Sequence, residues 1–473
     1  MRSLPLLCLL SVLTACGEGS TARVKAPPIE VGGPPLPADA LALSADRGQA
    51  AANALSAVAP AAPAFPTSAT GVTCATPLSS APVGHLEGPD RLARLFERLA
   101  TLDGGHGHDD VRILQYGDSH TASDTGTAPF RRRLQSRFGD GGRGFVAIGK
   151  PWKTYVQEGV HGGMTEQFGP ARTGSDHYSG DGCFGLLGVG IGAEAAGARA
   201  WSEIAPRFSH VELDYWQAPH SGSFDVFIDG VHTGRVATRA AQAGAGYYAL
   251  DVADVPHQVE LHTVGDGTVR VFGMTLDRPQ AGVVVDALGI NGAQIFTALR
   301  WNEDHFAEQV RHQAPDLVVL AYGTNEALDA HLEDADYERG LVDLLGRFSR
   351  AAPGAACMLL GPPDLARWTK GTRGYHTWPR VLEIAAIQER VAKAAGCAFY
   401  DQIEAMGGPG SIAAWAEEPD PRAQQDRVHL TRTGYTQVGT SLATDMLRAY
   451  DEWRAEMGLP PTGAEKTWNV ARR

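Results

Sequence analysis

Ser119 stands in the run Tyr116-Gly117-Asp118-Ser119-His120, directly after the short apolar stretch 111–116. A hydroxyl is a weak nucleophile at neutral pH and needs a base. Asp426-Arg427-Val428-His429 supplies one: a carboxylate three residues before an imidazole can hold the ring's Nδ1–H and leave Nε2 to take the serine proton. The tetrahedral oxyanion of acyl transfer also needs donors, and removing one typically costs ~2.7–4 kcal/mol of barrier. Two further segments offer them, Gly289-Ile290-Asn291-Gly292 and Gly323-Thr324-Asn325. The backbone N–H of Gly292 and the side-chain amide of Asn325 are expected to converge with the N–H of Ser119. This is covalent serine chemistry, and it calls for no metal and no cofactor.

Such groups must be held at the ends of rigid elements, and the chain has the pattern for them. Leu92, Leu95, Phe96 and Leu99 recur at helical spacing. The apolar stretch 111–116, the turn at Ser119 and a helical stretch around 130–138 read as strand, sharp turn and helix, with Ser119 on the helix N-terminus. After residue 282 strands at 283–286, 316–322, 357–361 and 397–401 alternate with helices at 295–312, 337–350, 381–395 and 433–457. Buried strands alternating with helices predict a parallel sheet covered on both faces, with ligands at the carboxyl ends of its strands.

Between these halves the texture changes. His210-Val-Glu-Leu-Asp-Tyr-Trp, Phe224-Asp-Val-Phe-Ile and Thr268-Val-Arg-Val-Phe alternate with period two, and Asp229-Gly230 lies between two such runs as a hairpin signal. A β-sandwich inserted between the first and second strands of an α/β domain is the expected architecture. The boundaries read as 1–15 for a signal peptide, 16–86 for an Ala/Pro-rich tether without periodicity, 87–150 and 282–460 for the α/β domain, 151–281 for the insertion and 461–473 for a tail.

The four site segments, in this order, resemble the SGNH branch of the GDSL hydrolases. Asp118-Ser119 in Gly-Asp-Ser matches the first block, Gly292 the second, Asn325 in Gly-x-Asn the third, and Asp426-x-x-His429 the fourth. The likeness implies a flavodoxin-like three-layer α/β fold and ester hydrolysis through an acyl-enzyme on Ser119, with Ser119, Gly292 and Asn325 as the oxyanion hole. The first block reads Gly-Asp-Ser-His rather than Gly-Asp-Ser-Leu, and a β insertion precedes the second. Both features, with the run 116–124 and Gly142-Arg-Gly-Phe145, look like the peptidoglycan O-acetylesterases of Gram-negative bacteria, whose insertion is similar to a carbohydrate-binding module.

Other residues admit plainer roles. Asp118 is expected to cap the following helix rather than act in catalysis, His120 is left open between a turn residue and a pocket lining, and both count as possible pocket residues. His106 and His108 read as loop residues rather than a metal site. Tyr215, Trp216, Phe227 and Phe272 are expected in the core of the insertion rather than as a sugar platform.

Composition sets the partners. With 473 residues, 43% apolar and 20% charged, the chain can build a large core. Its net charge of -13 argues against nucleic acid. Arg2 precedes an apolar stretch at 4–13, too short to span a bilayer, and Leu13-Thr14-Ala15-Cys16 looks like a bacterial lipobox. That likeness implies cleavage before Cys16 and a lipid anchor on it; a plain secretory signal is the alternative. Cys74, Cys183, Cys357 and Cys397 then remain, and Cys357 and Cys397 are left open between a bridge and two free thiols. The expectation is a monomeric, lipid-anchored envelope esterase acting on an acetylated glycan, peptidoglycan first. An O-acetyltransferase with the same acyl-enzyme and an inactive glycan-binding lipoprotein are the alternatives.

Overall fold

A computed structural model describes residues 79–172 and 180–459. Cys16, Cys74, the signal peptide, most of the tether and the tail at 461–473 lie outside the described residues.

Strands are numbered along the chain. The α/β half contributes β1 (Leu86–Glu87) and β2 (Val111–Gly117) before the insertion. The insertion's sheet contains β3 (Gly142–Val146), β4 (Val160–Met164), β5 (Gly169–Arg172), β6 (Val189–Ala193), β7 (Arg199–Gln217), β8 (Ser223–Ile228), β9 (Val231–Ala237), β10 (Gly244–Thr263) and β11 (Val269–Asp277). The α/β half resumes with β12 (Val283–Gly289), β13 (Leu317–Ala321), β14 (Ala356–Leu360), the hairpin β15 (Ala366–Thr369) and β16 (Gly374–Thr377), and β17 (Ala398–Tyr400).

The main sheet runs β1-β17-β14-β13-β2-β12, parallel except for β1. Its five parallel strands, taken in chain order, fall in the flavodoxin-like sequence 2-1-3-4-5, whose ligand crevice lies beside the first strand where the order reverses. Every residue of β2 and β12 is buried. That explains why these strands read as continuous apolar runs rather than alternating ones. Two cores flank the sheet. One holds Leu114, Tyr116, Val318 and Leu359 with the helices Asp334–Ala351 and Pro379–Ala395; the other holds Ile113, Val285 and Val319 with Ala93–Asp103 and Arg432–Glu456. The expected SGNH-type α/β fold with an inserted antiparallel β domain is what the chain adopts.

Several details differ from the sequence expectation. The inserted strands form one hydrogen-bonded antiparallel sheet of nine strands, in which the long β7 and β10 pair along almost their whole length. It encloses a core of its own, built on Phe208, Leu213, Val226, Leu261 and Val271. The sheet draws on β3, which lies on the α/β side of the expected boundary at 150, because β3 pairs with β11. The expected tether reaches 86, yet Val83 and Leu86 are buried and β1 pairs with β17. The single helix expected at 295–312 is two, Ile295–Leu299 and Glu303–Gln313, because Asn302 caps the second through the His305 N–H. The helix expected to begin at Ser119 is a single turn, Ser119–Ala122, followed by Thr127–Phe138. Asp124 has φ 57° between them, a conformation that stops a right-handed helix.

Cys357 and Cys397 form a disulfide, and Cys183 is a buried free thiol. Parallel pairing of β14 and β17 sets Met358 beside Ala398, so the residues preceding them meet. Phe272 and Tyr215 are buried, as expected for core residues, and Trp216 and Phe227 are half-buried. His106 and His108 sit in the loop after Ala93–Asp103.

Candidate active site

Ser119 leaves the carboxyl end of β2 on a tight turn. Asp118 caps that turn, its Oδ1 accepting the His120 N–H at 2.9 Å, which is the capping role expected of it. The turn fits only because its neighbours are small. A Cβ on Gly289, at the end of β12, would lie 2.2 Å from the backbone nitrogen of Ala122. Ser119 Oγ is 3.0 Å from His429 Nε2. His429 Nδ1 is 2.8 Å from Asp426 Oδ2, and Asp426 Oδ1 accepts the N–H groups of Val428 and His429 at 3.0 Å each. One carboxylate therefore fixes both the ring and the backbone that carries it. The turn has a backbone cost, since Arg427 sits at φ 54°.

The electrostatics suit a base. Burial pushes the Asp426 carboxyl up, but bonds from the His429 ring and from the Val428 and His429 N–H groups outweigh it and hold it at about 2. In return the Asp426 carboxylate raises the His429 imidazole above its ordinary 6.5, against partial desolvation. Both side chains stay open to solvent, at 37% and 44% exposure. Water can therefore reach the reacting atoms.

The expected oxyanion donors lie in three loops. Among the described residues nothing accepts the Ser119 N–H. Gly292 follows β12 in a left-handed conformation, φ 75°, on an exposed loop. Asn325 lies in the short helix Thr324–Leu328 after β13, and its Nδ2 donates to the Ala293 carbonyl at 2.9 Å. An amide nitrogen has two hydrogens, so this bond orients the side chain and leaves one donor for an oxyanion.

Sequence reasoning missed the residue that clasps these loops together. Glu326 is fully buried; its Oε1 accepts the Ile295 N–H at 2.8 Å and its Oε2 the Gly323 N–H at 3.0 Å. The signal was present as an acidic residue three positions after the turn glycine, the spacing of a helix capping box. Asn291, next to Gly292, makes a second link. Its Oδ1 accepts from Trp152 Nε1 at 2.9 Å and Thr154 Oγ1 at 3.1 Å, which pins the Gly292 loop to the segment after β3.

His120 lies behind His429, where it lines a cavity. Its ring stacks on His429, its Nδ1 is 2.9 Å from Tyr435 Oη, and its Nε2 is buried without a partner among the described residues. Burial, then the charge of His429, pushes it down to about 3, so it is neutral at physiological pH. Asp118 and His120 line a cavity with Tyr435, Leu360 and Pro362, and neither Ser119 nor His429 lines it. Asp118 is driven up to about 7 by burial.

The two remaining family-like runs meet in the interior. Asp124 takes Arg131 Nη2 and Arg143 Nη2 at 2.6 Å each, and Arg131 Nε donates to the Val285 carbonyl at 2.8 Å. The serine turn, β3 and β12 are thereby locked as one unit.

This arrangement can abstract a proton from Ser119, attack a carbonyl and stabilise the resulting oxyanion. Comparison with known proteins agrees. The GDSL-like Lipase/Acylhydrolase family matches residues 253–437, a span that includes Asn325 and the Asp426–His429 turn. A solved peptidoglycan O-acetylesterase is similar over 76% of this chain and 96% of its own, with 27% identity and a TM-score of 0.64. A family two carbohydrate esterase from Clostridium thermocellum in complex with cellohexaose is similar at 12% identity, over 57% of this chain and 95% of its own, with a TM-score of 0.24. An acetyl xylan esterase is similar at 18% identity, over 36% of this chain and 81% of its own, with a TM-score of 0.26. The last two scores are too low to support an inference. No curated protein sequence matches. Over residues 253–437 the chain is thus similar to the GDSL-like lipase/acylhydrolase family, and it is an SGNH-type esterase.

Proposed function

We propose that the chain removes O-acetyl groups from a cell-envelope glycan, peptidoglycan, through an acetyl-enzyme on Ser119. The observation that carries the reading is the 3.0 Å contact of Ser119 Oγ with a His429 ring held by Asp426. It is joined by the likeness to a peptidoglycan O-acetylesterase over three quarters of the chain. His429 Nε2 takes the serine proton as Oγ attacks the acetyl carbonyl. The N–H groups of Ser119 and Gly292 and the amide of Asn325 hold the oxyanion. His429 then returns its proton to the departing sugar hydroxyl, leaving acetyl-Ser119. Water, deprotonated by the same imidazole, releases acetate. The solvent exposure of His429 and Asp426 favours water over a sugar hydroxyl as acceptor. The lipobox-like segment supports an anchor on Cys16 that would hold the enzyme in the periplasm or outer membrane of a Gram-negative envelope, acting as a monomer.

The test is acetate release from purified O-acetylated peptidoglycan by wild type and Ser119→Ala. Release by wild type alone supports the reading. Absence of release by wild type, with turnover of a small acetyl ester intact, removes the substrate and leaves the esterase.

A further inference from the structure

Pyranose rings are bound by aromatic side chains, and such a ring must reach solvent to serve. Among the described residues the exposed large aromatics are Trp368, 54% exposed, and Tyr375, 38% exposed. They face each other across the β15–β16 hairpin with ring centroids 5.2 Å apart. Among its described residues the inserted sheet offers no equivalent. Trp216 lies under the Arg270 guanidinium at 4.8 Å and against His305, while Phe227 packs on His262 at 4.3 Å.

The hairpin is fastened to both halves of the active site. Ala366 N donates to the Arg427 carbonyl at 3.1 Å, and the Arg427 guanidinium lies 3.9 Å from the Tyr375 ring centre. Arg427 is inside the Asp426–His429 turn. At the other arm, Trp378 Nε1 donates to the Ala327 carbonyl at 3.0 Å, on the short helix that carries Asn325. The base is closed by Asp364, fully buried, whose Oδ1 accepts from Thr377 Oγ1 and whose Oδ2 accepts from the N–H groups of Gly410 and Ile412. An exposed aromatic pair tied to the turn that carries His429 and to the helix that carries Asn325 is a candidate binding surface.

Charge narrows the occupant. The hairpin from Ala366 to Thr377 carries Arg367, Lys370 and Arg373 and no carboxylate, on a chain of net charge -13. All three cations are exposed.

We propose that the hairpin is a glycan-binding lip. Trp368, backed by Tyr375, stacks on a sugar next to the one whose acetyl group lies at Ser119, and Lys370 and Arg373 meet carboxylates borne by the same polymer. The lip therefore selects an anionic, carboxylate-bearing glycan, and the α/β half rather than the inserted sheet grips it. This rests on the esterase reading only for the position of the acetyl group.

Binding separates the two claims. Soluble peptidoglycan strands are titrated against Ser119→Ala, Ser119→Ala/Trp368→Ala and Ser119→Ala/Lys370→Ala/Arg373→Ala, with a neutral chitooligosaccharide as control. Loss of Trp368 is expected to raise Kd for both ligands about tenfold, the scale of one or two aromatic stacks. Loss of the two cations is expected to weaken only the anionic strands and to flatten their salt dependence. Equal Kd with and without Trp368, or no binding of either ligand by Ser119→Ala, overturns the lip. Trp368-dependent binding without acetate release by wild type supports the lip and sinks the acetyl-glycan reading. Acetate release with Trp368-independent binding does the reverse.

Discussion

The ring of His120 lies against the ring of His429, centroids 5.4 Å apart and planes 29° from parallel. The imidazole proposed to take the serine proton is thus backed by a second, uncharged imidazole, itself tied to Tyr435. His120→Ala should leave a gap behind the base. A fall in kcat of roughly tenfold with little change in KM is expected, as for lost orientation of a catalytic group. Tyr435→Phe keeps the packing and should cost less than threefold. Steady-state kinetics on a chromogenic acetyl ester decides; a KM effect alone would show that His120 acts elsewhere.

The acid limb of activity should follow His429. Only the neutral ring can accept the serine proton, and Asp426 raises its pKa above 6.5. The rate, kcat/KM, should therefore fall as pH drops through a value above 6.5. Asp426→Asn should move that limb to lower pH and reduce kcat by roughly 10²–10⁴-fold. An unshifted limb in the variant would disconnect the carboxylate from the base.

Ser119→Ala should abolish ester turnover, and Asn325→Ala should lower kcat by roughly 10²–10³-fold, the usual loss for one oxyanion donor. Glu326→Gln tests the clasp. It keeps one acceptor but not two, so an intermediate loss is expected, measured together with thermal unfolding to separate site from fold.

Asp118 should make stability depend on pH. Its folded pKa of about 7 lies above the ordinary 3.8, so the fold favours the protonated acid. That contribution is complete below pH 3.8 and is lost as pH rises through 7. Asn caps a helix turn as well as Asp does, so Asp118→Asn should be more stable than wild type at pH 8, by about 1–3 kcal/mol, and not at pH 4. Urea unfolding at the two pH values is the measurement.

Removing the Cys357–Cys397 bridge with paired alanines should cost about 2–4 kcal/mol, read as a lower urea midpoint. Breaking the buried Asp124–Arg143 pair with Asp124→Asn should cost about 3–5 kcal/mol and lower activity as the serine turn loosens.

Much of this site was legible because each block is local. Ser119, Gly292, Asn325 and Asp426–His429 each follow a strand end or lie in one turn, and type and spacing are visible along the chain. What escaped depends on contacts distant in sequence. Glu326 reaches Ile295 in another loop, Asp124 meets Arg143 across the sheets, and the β15–β16 hairpin has four-residue strands too short and polar for periodicity. The break after Ala122 escaped because one left-handed residue, Asp124, decides it. The cysteine pair stayed open until strand order placed β14 beside β17.

The pairing of β3 with β11 has a consequence for how the chain folds. β2 and β12 are neighbours, with Val111 opposite Val283, yet the whole insertion separates them. Closing so long a loop is entropically slow. But Gly142 is paired with Asp277 at the insertion's two ends. Once the inserted sheet has folded on its own core, the strand leading to Ser119 and its neighbour are joined as if by a short connection. The insertion then serves as the staple that lets the nucleophile's strand find its place, whatever it binds.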